Sequence, residues 1–308
     1  MTSTPHTLAR LIGAAALLVS AAALAQATPA SERCAIRLSS NLLGKAPTTA
    51  LFTNAAPLTQ VATMVTSPDF IEKFARYANS QMNSLPGEAP AEDASYYMVK
   101  HVLTNNLPWK AVFSGQFRVE ADPANAAQAR VVADANGLGY FRSPVWMKRY
   151  DGNELAGYRI AAAYRIMQNT VGIKLVAALN TEGVDADGRK GAPCNSCHYN
   201  NVFALDLAAK VLSRRPMGTA TTYAAPNEGA QVFLGGQTIA NDSEFVNALV
   251  NSKDFGFAAC RLAAGFVYGR SEFKCEGPVF DKCMTEFQTK GTLQSAVTAI
   301  ASDASFCQ

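Results

Sequence analysis

Cys194-Asn195-Ser196-Cys197-His198 packs two thiols and an imidazole into a single helical turn, and nothing else in the chain restricts the fold as severely. Cysteines three positions apart on a helix project from one face, and CxxCH is the spacing of c-type haem attachment. Both thiols can then reach the haem vinyl groups, while the adjacent imidazole points at the iron as proximal ligand. A chain carrying a flat ring in this way has to wrap apolar elements around it. After the motif, Val202, Leu205, Ala209 and Leu212 recur at three- and four-residue steps and predict a helix facing the ring. Pro193 before the motif and Arg214-Arg215-Pro216 after it bound that segment.

Rival readings of the motif make demands that the sequence does not meet. A thioredoxin-type pair needs a strand before it in a βαβ setting, and a Gly-rich loop from Gly183 to Gly191 stands there instead. A zinc site wants a second Cys or His pair near by, and His101 is the one other histidine beyond the first ten residues. Asp185-Ala186-Asp187-Gly188 has the opening of a calcium loop, but Arg189 and Lys190 follow and Ser196 falls where the bidentate glutamate belongs. Gly137-Leu138-Gly139 has no third glycine and no phosphate-binding context. With one free histidine, acid–base hydrolysis has little to work with.

The N-terminus supplies the compartment that the motif requires. Arg10 is the one charged residue before position 32, an apolar run spans Leu11 to Leu24, and Ala23-Leu24-Ala25 and Ala25-Gln26-Ala27 are small-x-small cleavage sites. That order reads as a signal peptide over residues 1–27, cleaved near Ala25 or Ala27, with the product periplasmic or secreted. The run falls short of the roughly 20 apolar residues that span a bilayer. Ser31-Glu32-Arg33 before Cys34 is no lipoprotein box, so a soluble product without a membrane span is expected. A formal charge of +3 that includes Arg10 gives no reason to expect nucleic acid or an anionic membrane as partner.

Seven cysteines in an exported chain imply disulfides, a covalently held cofactor, or both. Beside the motif stand Cys34, Cys260, Cys275, Cys283 and Cys307. The last four predict two disulfides stapling the terminal helices, in any of three pairings, with Cys34 free or displacing one of them. Abundant alanine and other helix formers predict a mainly α, multi-helix protein with a cytochrome c-like haem module. Helices are expected over 57–83 with a break at Pro68, over 92–105, over 153–180, and over 241–252, 254–268, 278–290 and 292–302. Residues 107–141 read as loop or one short β-hairpin, and 217–240 as an irregular connection. The organisation that follows is a signal peptide (1–27), an N-terminal helical region (28–150), the haem-binding module (151–240) and a disulfide-stapled helical module (241–308).

The order of several weaker patterns adds a resemblance. Thr66-Ser67-Pro68-Asp69-Phe70 with Phe74, Ala75 and Tyr77 opens it. Val102 to Trp109 and Phe113 to Phe117 follow, then Gly137 to Tyr140 with Ser143-Pro144, and Arg149-Tyr150 through Arg165. Pro193 to His198 with Phe203-Ala204-Leu205 comes next, and Phe255, Cys260, Phe266, Gly269-Arg270, Leu293, Ile300, Ser302 and Phe306 close it. In this order the chain resembles the large secreted single-haem c-type cytochrome-like proteins of planctomycetes and myxobacteria, which implies a helical fold and one haem c. Two departures stand out. Tyr199-Asn200-Asn201 replaces the Met-Asp-Pro-type segment common after the haem histidine, and the family's large N-terminal part has no counterpart here.

The second axial ligand decides between functions. Met217, in Pro216-Met217-Gly218 just after the haem helix, is the candidate distal ligand, and His–Met ligation makes an electron carrier of raised potential. His101, beside Lys100, reads as a solvated side chain, Met167 as core packing, and Met147 beside Trp146 as a further pocket-lining candidate. The expectation is a monohaem c-type cytochrome transferring single electrons between redox partner proteins. The alternative is a haem enzyme or redox subunit whose open iron meets peroxide or another small molecule. A third reading has the haem mainly holding a helical fold together.

Overall fold

In a computed structural model the described residues are 26–87, 92–150, 160–175, 185, 187–200, 203–213, 225–226, 228–270 and 277–308. The fold is mainly α, with two small antiparallel hairpins. In chain order the helices are α1 (Pro29–Leu38), α2 (Thr49–Phe52), α3 (Val61–Met64), α4 (Pro68–Met82), α5 (Ala94–Thr104), α6 (Ala111–Ser114) and α7 (Pro144–Arg149). They continue with α8 (Ile160–Val171), α9 (Asn195–His198), α10 (Leu205–Lys210), α11 (Asp242–Val250), α12 (Lys253–Tyr268), α13 (Gly277–Lys290) and α14 (Leu293–Ala301). The signal-peptide reading falls on residues outside the described set, apart from its last two positions. No helix among the described residues is long and apolar enough to cross a membrane.

The break expected at Pro68 has a local cause. Ser67 caps α4, its side chain accepting from the Phe70 N–H, and Pro68 takes the first-turn position where a missing N–H costs nothing. Phe70, Ile71, Phe74, Ala75, Ala78 and Met82 then bury one face at helical spacing. That face meets α12, where the Phe266 ring lies 4.8 Å from Phe74 and 5.7 Å from Phe70. α8 lies between α4, α10, α11 and α12 and joins the motif's side of the molecule to the C-terminal helices. One buried apolar cluster runs from Cys34 to Phe306.

The first hairpin pairs β1 (Phe117–Asp122) with β2 (Asn125–Ala133) inside the stretch read as loop or hairpin. It is anchored by the buried Ser143, whose Oγ accepts from the Val119 N–H at 2.9 Å. Gly139 adjoins it at φ +50°, where a Cβ would lie 2.0 Å from the Val112 carbonyl oxygen, so glycine there answers a close backbone approach and not a phosphate. The second hairpin, β3 (Gln231–Phe233) with β4 (Gln237–Ile239), lies where only irregular chain was expected. It turns through Leu234, Gly235 and Gly236, all at positive φ.

The disulfides are Cys34–Cys307 and Cys260–Cys283. Cys34 is therefore not free. It closes α1 onto the C-terminal turn, while Cys260–Cys283 staples α12 to α13. Two disulfides drawn wholly from the last four cysteines are thus corrected to one, because α1 packs against the C-terminal 3₁₀ turn and brings Cys34 within reach of Cys307. Cys275 lies outside the described residues.

Candidate functional site

The motif forms α9, a single turn beginning just after Cys194, with none of its residues buried. Cys194 and Cys197 are free thiols at intermediate exposure, while the four disulfide-bonded cysteines are paired elsewhere. The helix expected to continue past the motif does not do so. Ala204 sits in the left-handed region at φ +35° and ψ +52°, and α10 starts afresh at Leu205. A non-glycine residue there costs roughly 1–2 kcal/mol. The reversal redirects the chain, placing Asp206 in the first turn of α10 with its side chain fully buried. Leu205, Ala209 and Leu212 are buried as their spacing suggests, whereas Val202 lies outside the described residues.

Asp206 organises the site. One carboxylate oxygen accepts from His198 Nδ1 at 2.7 Å and from Arg189 Nε at 3.1 Å. The other accepts from Arg189 Nη2 at 2.8 Å and, more distantly, from the Tyr199 hydroxyl at 3.4 Å. Arg189 reaches in from the short 3₁₀ turn Gly188–Lys190, which begins with the Asp185 side chain accepting from the Gly188 N–H. Burial acts to raise the Asp206 pKa, but the hydrogen bonds from His198 and Arg189 and the guanidinium charge outweigh it and hold the carboxyl below its ordinary value. Tyr199, partly desolvated and facing that carboxylate, is pushed up to about 12.

This arrangement fixes the histidine tautomer. An ionised carboxylate only accepts, so the proton of a neutral His198 resides on Nδ1 and the Nε2 lone pair is left unshared. Nε2 has no protein partner among the described residues. A carboxylate behind a ligating histidine is the usual means of orienting the ring and raising its donor strength.

The donor set also discriminates between possible occupants. Among the described residues no group of three or more His, Cys, Asp or Glu side chains is arranged to hold a bare metal ion. Two thiols with one oriented imidazole do fit a porphyrin, which would bring four nitrogen ligands for the iron itself and vinyl groups to take the thiols. Met217 lies outside the described residues. Met167 and Met147 are fully buried core side chains. His101 is half-buried, its ring 4.8 Å from Phe117, and desolvation lowers its pKa, which corrects the solvated reading.

Sequence reasoning missed Asp206 and Arg189. A signal existed in an aspartate set between Leu205 and Leu207 within an apolar stripe, where a charged side chain is buried only when paired. In the sequence Arg189 stands out only as the residue that spoils a calcium loop. A large cleft between α4, α8 and α12 lies apart from this site, since none of its lining residues belongs to the motif. In comparisons with known proteins, no family model matches the chain, and no curated protein or solved structure matches it.

Proposed function

We propose that this chain is an exported monohaem c-type cytochrome that transfers single electrons, with haem c attached through Cys194 and Cys197 and ligated by His198. The observation that carries the proposal is the His198–Asp206 hydrogen bond, which leaves one imidazole nitrogen oriented and unshared beside two free thiols. Bound there, the haem supplies a one-electron Fe(III)/Fe(II) couple. His198 would hold the haem iron through Nε2, with Asp206 fixing the plane of the imidazole and Arg189 neutralising Asp206 so that the buried carboxylate stays ionised. Two disulfides agree with an oxidising compartment, periplasmic or extracellular. The resemblance to secreted single-haem proteins points the same way, and Met217 remains the proposed distal ligand.

One observation favours the second reading, an open iron site acting on peroxide or another small molecule. A buried carboxylate on Nδ1 makes the imidazole a stronger donor and favours the oxidised metal. Optical spectra of oxidised and reduced protein, produced in a host that attaches c-type haem, separate the two. A low-spin spectrum unchanged by carbon monoxide supports the carrier. A high-spin spectrum that shifts with carbon monoxide replaces it with the open-site reading, and absence of covalent haem overturns both.

A further inference from the structure

Tyr150, the residue after α7, is 7 % exposed, and its enclosed hydroxyl has no hydrogen-bond partner among the described residues. A phenol buried in this way forfeits the hydrogen bonds it makes in water, a cost that phenylalanine in the same place would avoid. The ring does only what a phenylalanine ring would do, packing on Trp146 with 4.9 Å between centroids. Packing therefore accounts for the ring and not for the hydroxyl. Buried donors are seldom left in that state.

A cation lies beside it. The guanidinium carbon of Arg165, on α8, is 5.9 Å from the centre of the Tyr150 ring and 6.0 Å from that of Tyr164. Arg165 is half-buried, donates to Gln168 Oε1 at 2.8 Å and meets no carboxylate among the described residues. Tyr150 and Arg165 both act electrostatically on the buried hydroxyl of Tyr140, whose oxygen accepts from Asn169 Nδ2 at 2.8 Å. A phenol donor and a guanidinium thus stand together with no acceptor to serve both. Their place in the fold adjoins the candidate site: α8 packs against α10, whose first turn holds Asp206 behind His198.

We propose that Tyr150 and Arg165 hold a carboxylate that the polypeptide does not supply, the phenol donating to one oxygen and the guanidinium offsetting the charge. Two sources share that chemistry, a propionate of the haem proposed above and a free small carboxylate. The first source rests on the haem reading; the juxtaposition of donor and cation does not.

Thermal unfolding of Tyr150→Phe and the parent, each as haem-loaded and as haem-free full chain, tests it, with chloride exchanged for acetate at constant ionic strength. If a propionate is the acceptor, the substitution lowers melting of the haem-loaded protein by about 3–12 °C and leaves the haem-free chain unchanged or more stable. The propionate bending band in resonance Raman spectra then moves in Tyr150→Phe and Arg165→Gln and is restored in Arg165→Lys. If the acceptor is a free carboxylate, acetate raises the melting temperature of the parent and not of Tyr150→Phe, with or without haem. A substitution that is neutral or stabilising in every condition overturns the proposal. So does an equal loss in every condition with the band unmoved, which marks an internal water as the acceptor. Reproduction of the loss by Asp151→Asn or Glu154→Gln, with nothing added in the double variant, places the acceptor in the chain itself and also overturns it. Absence of covalent haem removes the cytochrome reading and leaves the acetate comparison to decide this one.

Discussion

Asp206→Asn is the substitution that most directly probes the site. The amide keeps the shape of the carboxylate but removes its charge, and one of its two terminal atoms becomes a donor. That donor faces either Arg189 or His198 Nδ1, both of which also donate to Asp206. Arg189 is then left charged with its side chain only 10 % exposed, beside a site that was fully buried. Removing one partner of a buried ion pair costs up to about 3–5 kcal/mol, less to the extent that Arg189 keeps its other interactions. At roughly 2–4 °C per kcal/mol for a chain of this size, melting should fall by up to about 20 °C. Thermal unfolding followed by circular dichroism reads this. The double variant Arg189→Met/Asp206→Asn should recover part of the loss, because the guanidinium that Asp206 neutralises is then gone as well. A single variant within about 0.5 kcal/mol of the parent, or a double variant whose loss is the simple sum of the two singles, would refute the reasoning.

Three further outcomes follow. Cys197→Ala should abolish normal two-bond haem attachment in a haem-attaching host, read by intact mass and by haem staining after denaturation; a normal covalent haem on that variant contradicts the proposed role. Cys34→Ser should lower stability by about 2–5 kcal/mol in denaturant titration, since the Cys34–Cys307 bridge spans a sequence separation of 273 residues, and reduction of the parent, which also opens Cys260–Cys283, should lower it at least as far. His101 is held below its ordinary pKa of 6.5 by desolvation, so the folded state binds fewer protons than the unfolded one. Its contribution is therefore complete above that value and lost as the pH falls through it, and His101→Gln should flatten this part of the stability–pH curve.

Much of the architecture was legible because its cues are local. Ser67-Pro68 at the start of α4 and the burial period from Phe70 to Met82 act within a few residues, and so do the boundaries of α11 to α14. Other features depend on partners far away in the chain. Cys34 could not be assigned to Cys307 without knowing that α1 packs on the C-terminal turn. The β3–β4 hairpin has three-residue strands, too short to show alternation, and its turn relies on Leu234 at φ +51°, a conformation that leucine's identity does not announce. The site itself was half visible. CxxCH is a local pattern, whereas Asp206 and Arg189 are 17 positions apart and meet across the left-handed Ala204 that starts α10.

That reversal bears on why the buried pair is there. Replacing a buried ion pair with apolar side chains of similar volume is often neutral or stabilising, so stability alone does not account for Asp206 and Arg189. Nor does it account for an alanine in the left-handed region, where the backbone is strained and a continued helix would not be. The two costs fall in one place and have one geometric product, a carboxylate aimed at Nδ1 of His198. A continuous helix through Ala204 would carry Asp206 round with the regular turn of the backbone, and the imidazole would lose the contact that fixes its tautomer and plane. The strained alanine, the buried ion pair and the unshared Nε2 are best read together, as backbone strain and desolvation set against one oriented imidazole, which is what the proposed haem ligation would require.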